Sequence, residues 1–262
     1  MRRIAHPIES LRKRYFRLFG GVRVARRLGA RWLLDPGEAG DLRYLAGRRH
    51  DVEQRCFLAN QIRDRGATRF FDIGANRGLY AVLFGLDLDL PDGIDAFEPV
   101  EVTFLKLQVN VWLNGLQGRV RAHRLALSDR SGEVTMTRGR NFLATSHVGT
   151  PPTGEEARAE RVGAARLDDL VDLSGQRLAI KIDVEGHELS TLAGMAGTLA
   201  RNACILQIEI ARRPVAEVDA VLAPAGYRPI HRIAKDHYYA NAAEPPAATP
   251  ATEPTAQATS TA

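Results

Sequence analysis

The sequence predicts an α/β fold: a doubly wound, mostly parallel sheet with helices on both faces. Three observations lead there. Short apolar runs of strand length alternate with longer amphipathic ones through most of the chain, which implies right-handed crossovers and a parallel sheet. Residues 69–78, RFFDIGANRG, pass from the apolar run of Phe70, Phe71 and Ile73 through a turn with almost no side-chain bulk into a second apolar run starting at Leu79. This is the pattern of strand, tight turn and helix. Glu98 follows at the end of the next apolar run, about twenty residues on, where nucleotide-binding sheets place a carboxylate on a ribose.

The elements follow in order. Residues 8–19 place Ile8, Leu11, Tyr15, Leu18 and Phe19 on one helical face, with Arg12, Lys13, Arg14 and Arg17 largely opposite. Such a helix suits an anionic membrane surface or an acidic partner; on sequence alone the preferred reading is a helix packed on its own domain with a solvated charged face. Residues 22–34 read as a hairpin around Gly29, and 51–63 as a helix leading into the strand before the glycine turn. Beyond the turn come a helix at 79–86, a strand at 94–97 and an amphipathic helix at 102–113 closed by Asn114 and Gly115. A third strand is read at 120–127.

Residues 133–165 break the rhythm, with one strand at 134–137 and a Gly/Pro/Thr-rich loop around 150–154, the signature of a lid or a disordered loop. A short helix at 167–173, a fourth strand at 178–184, a helix at 189–199, a fifth strand at 204–210, a helix at 215–223 and a closing pair at 227–233 and 237–240 complete the fold. Residues 243–262 are almost wholly Ala, Pro, Thr, Ser and Gln and cannot bury a core. The expected organisation is therefore a basic helix and hairpin over 1–50, one α/β domain over 51–242 and a disordered tail over 243–262.

Composition narrows the function. Two cysteines, Cys56 and Cys204, argue against a disulfide framework, and no apolar run reaches membrane-spanning length, so a cytoplasmic protein is expected. The net charge of +5 comes from a basic set with only four lysines, a weak signal for nucleic acid.

In a parallel sheet, ligands bind beyond the carboxyl ends of the strands near the switch point. That rule selects residues 72–78, Glu98, residues 125–129, residues 183–188 and Glu209. The turn lacks the middle glycine of a dinucleotide loop, and no Gly-Lys-Ser/Thr occurs, so the ligand is a nucleoside without phosphates. S-adenosylmethionine fits: its ribose suits Glu98, its carboxylate the helix N-terminus, its ammonium Asp72.

Together FDIGANRG, AFEP, ALSD, the LDDL before the fourth strand, and KIDVEGHE resemble the FkbM family of S-adenosylmethionine-dependent methyltransferases, in order and spacing, over roughly residues 32–239. The resemblance implies a seven-stranded Rossmann-like class I sheet. It places the methionine part of the cofactor at Asp72, Gly74, Asn76 and Gly78, the ribose at Glu98, and the adenine at Leu125, Ala126 and Asp129. Arg77 departs from the family, which often has an apolar residue there.

Asp183 falls where the superfamily keeps residues nearest the transferable methyl. Asp183, Glu185 and His187 are the candidates to accept or relay an acceptor proton; the alternative is that Glu185 caps the next helix while His187 or Glu188 faces solvent. A divalent cation shared with Glu209 is the other reading of these groups, but no ligand spacing is diagnostic and no metal is assigned.

The expected activity is O-methylation of a hydroxyl on a small molecule, a natural product or sugar. An NAD(P)-dependent dehydrogenase would need the middle glycine and a Tyr-x-x-x-Lys, and neither is present. A nucleobase N-methyltransferase would need Asn/Asp-Pro-Pro-aromatic where Asp183-Val184-Glu185-Gly186 stands. A non-catalytic binding protein using the basic N-terminus is the remaining alternative.

Overall fold

The computed structural model describes residues 7–47, 51–139, 146–148 and 157–241. Both the loop expected around 150–154 and the tail expected over 243–262 lie outside them. The chain opens with α1 (Pro7–Phe19), a hairpin of β1 (Arg23–Arg27) and β2 (Ala30–Leu34), and the helices α2 (Ala39–Leu45) and α3 (Val52–Arg65). There follow β3 (Arg69–Ile73), α4 (Leu79–Asp87), β4 (Gly93–Phe97), α5 (Glu101–Leu113) and β5 (Val120–His123). After β6 (Ala126–Leu127), β7 (Gly132–Gly139), β8 (Ser146–Val148), β9 (Ala157–Ala165) and α6 (Leu167–Leu170), the chain returns through β10 (Arg177–Ile182), α7 (Glu188–Ala193), α8 (Ala196–Arg201) and β11 (Ala203–Glu209). It closes with α9 (Val215–Leu222), β12 (Arg228–Ile233) and β13 (Asp236–Ala240).

The large sheet has seven strands in the order β12-β13-β11-β10-β3-β4-β5. The pairs from β11 through β10, β3 and β4 to β5 are parallel, whereas β13 runs antiparallel to β11 and β12. Strand order reverses between β3 and β10, which makes their carboxyl ends the switch point. Side chains alternate across the sheet, and both faces are covered. Phe70 packs with Leu58 and Ile62 of α3 and Leu83 of α4, while Phe71 packs with Ile180, Leu192 of α7 and Val218 of α9. Trp32 and Leu34 of the hairpin are fully buried in the first of these cores.

Four sequence expectations are corrected. The third strand does not run to Leu127. The ladder ends where the Glu98 N–H donates to the His123 carbonyl at 3.0 Å, and Ala126 and Leu127 then pair in parallel with β9. Nor is 133–165 mainly irregular: β7 and β9 form a long antiparallel pair within a second, four-stranded sheet of order β6-β9-β7-β8. Helix 167–173 is only the single turn of α6.

Lastly, the expected helix at 189–199 is two helices. A Cβ on Gly194 would stand 1.8 Å from the Ser128 carbonyl, so the chain lies against the loop after β6 and turns. α8 then starts afresh: the Asp168 carboxylate accepts from Gly197 N, Thr198 N and Thr198 Oγ1 at 2.7 to 2.9 Å, capping its open N–H groups. Despite burial, those bonds hold the Asp168 carboxyl below its ordinary pKa. The LDDL motif is thus a cap.

Among the described residues no helix is long and apolar enough to cross a membrane, and Cys56 and Cys204 are free thiols.

Candidate functional site

The carboxyl ends of β3, β4 and β10 open onto a cleft of about 660 Å³, counted to its solvent mouth. Gly74 and Asn76 line it from the turn after β3, Phe97, Glu98 and Pro99 from the end of β4, Leu125, Ala126 and Leu127 from the crossing between the sheets, and Asp183, Val184, Glu185 and His187 from the loop after β10. Met136 of β7 completes the wall, because the second sheet packs Val162, Ala164 and Met136 onto Val100 and Ala126.

The glycine turn is positioned by close backbone approach. Gly74 has φ +77°, and a Cβ there would stand 1.9 Å from the Asp183 carbonyl, so only glycine lets the loops after β3 and β10 meet. Gly74 N and Ala75 N donate to the Phe97 carbonyl at 3.0 and 2.9 Å. Glu98 closes the turn: Asn76 N–H donates to one carboxylate oxygen and Val100 N–H to the other, each at 3.0 Å. Burial pushes the Glu98 carboxyl up to about 7, against these two bonds.

Asp72 lies behind the turn, 1% exposed. Its Oδ2 accepts the Ala81 N–H of α4 at 3.0 Å, while Oδ1 is buried without a hydrogen-bond partner. Burial raises its pKa to about 6, and nearby Lys181 opposes the rise. Lys181 Nζ reaches Asp183 Oδ2 at 3.1 Å and sits 5.0 Å over the Tyr80 ring. Burial alone would lower its pKa, but Asp183 and Asp72 together raise it, so it stays charged.

Glu185 takes a left-handed conformation, φ +50°, and pairs with Arg212 at 3.3 Å; burial raises its pKa. Among the described residues no side chain caps the start of α7, so the helix-capping role read as an alternative for Glu185 is not filled, and Glu188 bonds to the loop before the helix instead. Its carboxylate accepts Gly186 N–H at 2.7 Å and Arg213 Nε at 2.7 Å while buried. His187 turns into the cleft, with Nε2 2.9 Å from the Ser128 hydroxyl, and burial lowers its pKa. Ser128 Oγ gives its one proton to Asp129 Oδ1 at 3.0 Å. It therefore accepts from His187 Nε2–H, and the ring's lone pair falls on Nδ1.

Of the residues selected from sequence, Gly74, Asn76, Glu98, Leu125, Ala126, Asp183, Glu185 and His187 line the cleft; Asp72, Gly78 and Asp129 do not. Gly78 is the N-cap of α4, against Leu107, and Asp129 is exposed, reaching the cleft only through Ser128. Ser128 falls within the selected residues 125–129 but is given no role there, and Met136 is not selected. Ser128 sits inside the ALSD motif, so a signal existed; Met136 comes from a strand that only the second sheet brings near.

Arg77, which departs from the family pattern, neither lines the cleft nor faces solvent. Its guanidinium meets Asp41 of α2 at 2.8 Å and lies 5.0 Å over the Tyr44 ring. Lys106 of α5 joins Asp41 at 3.0 Å and also pairs with Glu38. Among the described residues no three or more His, Cys, Asp or Glu side chains group to hold a metal ion.

Comparison with known proteins identifies relatives of the chain. The family model of the methyltransferase FkbM domain matches residues 72–229, more than half the chain. The 31-O-demethyl-FK506 methyltransferase FkbM of Streptomyces tacrolimicus is 30% identical over 190 residues, which cover 60% of this chain and 70% of that protein. Among solved structures, the methyltransferase FkbM of Methylobacillus flagellatus KT is similar at 19% identity and TM-score 0.49, over 66% of this chain and 43% of its own. The ribosomal protein L11 methylase of Lactobacillus delbrueckii subsp. bulgaricus is similar at 12% identity and TM-score 0.44, over 73% of this chain and 78% of its own. This chain spans under half the length of the M. flagellatus structure. Taken with the motifs and the cleft they build, the family match shows that the chain belongs to the FkbM methyltransferase family.

Proposed function

We propose that the protein transfers a methyl group from S-adenosylmethionine to a hydroxyl of a small molecule. The observation that carries the reading is Glu98: a buried carboxylate at the end of β4, held by the N–H of Asn76 in the glycine turn and facing the apolar wall of Leu125, Ala126 and Met136. A ribose between them gives both hydroxyls to the carboxylate, and the adenine lies on the wall. The turn from Gly74 to Asn76 fits the methionine part. Bound there, the cofactor supplies an electrophilic methyl group on a sulfonium sulfur.

The chain's own groups then place and deprotonate the acceptor. Methyl transfer is a direct displacement, so most of the rate comes from holding the attacking oxygen in line at about 3 Å. Asp183 and His187 stand on the same wall. Asp183, paired with Lys181 at 3.1 Å, accepts a hydrogen bond from the acceptor hydroxyl and orients it. His187 is neutral at pH 7, and its Nδ1 lone pair takes the proton as the O–CH₃ bond forms. Small-molecule O-methylation draws support from the name of the Streptomyces relative, which acts on 31-O-demethyl-FK506.

Isothermal calorimetry with S-adenosylmethionine tests the reading. The wild type binds, and Glu98→Ala weakens binding by about 2 kcal/mol, roughly thirtyfold, the loss of charged hydrogen bonds to two hydroxyls. Unchanged affinity in a folded variant refutes the ribose assignment.

A further inference from the structure

The reading of α1 as a helix packed by its apolar face is overturned. Leu11, Tyr15, Leu18 and Phe19, with Val22 and Val24 beside them, are 54% to 71% exposed. The helix rests instead on its opposite side, where Phe16 packs against the core. That pose is held: the Arg23 guanidinium lies 5.2 Å over the Phe16 ring and donates to the Phe19 carbonyl at 3.2 Å, capping the helix end. In β1 the side chains alternate, so Val24 and Arg26 turn outward together. The result is an exposed apolar face on a fixed helix, with two exposed valines in the segment that follows it.

The charge around the face says what covers it. Between residues 7 and 31 there are eight arginines and lysines and one acid, Glu9. This net +7 exceeds the +5 of the whole chain, so the rest of the molecule balances the other way and the basic excess is gathered here. Arg12 and Arg14 on α1 and Arg26 on β1 are exposed. A second copy docked on the same face would set like charge against like charge. An anionic bilayer meets both features at once: apolar side chains enter the acyl boundary while arginines stay at the headgroups.

We infer that α1 and the edge of β1 form a docking surface for an anionic lipid membrane. It holds the protein at the interface without spanning it. The surface is separate from the cleft, so the inference stands or falls independently of the methyl-transfer reading.

Co-sedimentation with vesicles tests it. The full chain pellets with phosphatidylcholine vesicles containing phosphatidylglycerol and not with phosphatidylcholine alone, and added salt weakens the binding. Leu18→Asp with Phe19→Asp abolishes pelleting. Arg12→Ala and Arg14→Ala each lower the partition coefficient about fivefold, the weight of one basic side chain at a charged surface. Far-ultraviolet circular dichroism and the melting temperature stay at the wild-type values in all of these variants, which reports that they are folded. Three results overturn the inference: no pelleting of the wild type with anionic vesicles, pelleting that survives the paired Asp variant, or a dimer seen by light scattering that the Asp variant dissolves while vesicles bind neither protein.

Discussion

In the proposed site, Glu98 couples cofactor binding to a proton. With its pKa raised to about 7 by burial, the carboxyl is partly protonated in the free protein at neutral pH, whereas two ribose hydroxyls favour the ionised form. S-adenosylmethionine binding therefore releases a proton near pH 7, and affinity falls as pH drops below about 7. Calorimetry at that pH in two buffers of different ionisation heat measures the release; equal apparent enthalpies would remove Glu98 from the ribose. At the reacting end, binding and chemistry separate. Asp183→Asn keeps cofactor affinity within a few-fold and lowers the single-turnover rate by roughly 10²- to 10⁴-fold. In the wild type the rate declines with acid as His187, whose pKa lies below its ordinary 6.5, takes up a proton. A His187→Gln enzyme loses that acid limb, and an unchanged profile would assign the proton elsewhere.

At the scale of elements, the site depends on α2, which contributes no residue to the cleft. Asp41 is 2% exposed and takes two charges at once, Arg77 from the glycine turn and Lys106 from α5. Asn110 of α5 adds its own amide to the Arg77 carbonyl at 2.9 Å. The turn is thus bolted to two helices. Removing one partner of a buried ionic group costs about 3 to 5 kcal/mol when the other is left without counter-charge, as Arg77 is here, whereas Lys106 keeps Glu38. Asp41→Ala should lose stability on that scale in urea and weaken S-adenosylmethionine as the turn loosens. Arg77→Met removes the cation in place of the acid and leaves Lys106 paired with Asp41, so its loss should be smaller. Equal stability of Asp41→Ala and wild type would show the bolt to be idle.

For the whole molecule, buried carboxyls set how stability changes with pH. Asp72, Glu98 and Glu209 have folded values of about 6, 7 and 7 against ordinary values of 3.8, 4.5 and 4.5, each raised first by burial. Between roughly pH 4 and 7 the folded state holds protons that the unfolded state has released, so their contribution is present in acid and lost as pH rises through that window. Asp95 acts in the opposite sense. Despite burial, bonds from Arg121 and His123 hold it at about 2, so its contribution is present above about pH 4 and lost towards pH 2. The free protein should melt higher at pH 5 than at pH 8, by calorimetric scanning. A saturating cofactor should narrow the gap, since it pairs the ionised form of Glu98. A melting temperature that climbs steadily from pH 5 to pH 8 would contradict the burial of these groups.

How much of this was legible follows from the range of each force. Strand and helix identity is local: a run such as RFFDI or LAIKI is apolar on both faces and short, and the glycine turn between β3 and α4 follows from backbone freedom alone. The carboxyl-end rule then selects Gly74, Asn76, Glu98, Asp183, Glu185 and His187, because crossover handedness leaves one end of a parallel sheet for ligands. What lay beyond the sequence were features made by distant segments meeting. VRAHRLAL has the pattern of one strand, and only competition between the edge of the large sheet and β9 divides it. The helix at 189–199 breaks because Gly194 meets the Ser128 carbonyl and Asp168 caps a new start. Arg77 finds a buried acid from α2, Ser128 finds His187, and α1 turns its apolar face outward because Phe16 and Arg23 hold the other side. Composition and periodicity determine which surfaces are apolar or charged, whereas the partner each surface finds depends on chain contacts tens of residues apart, which no local pattern encodes.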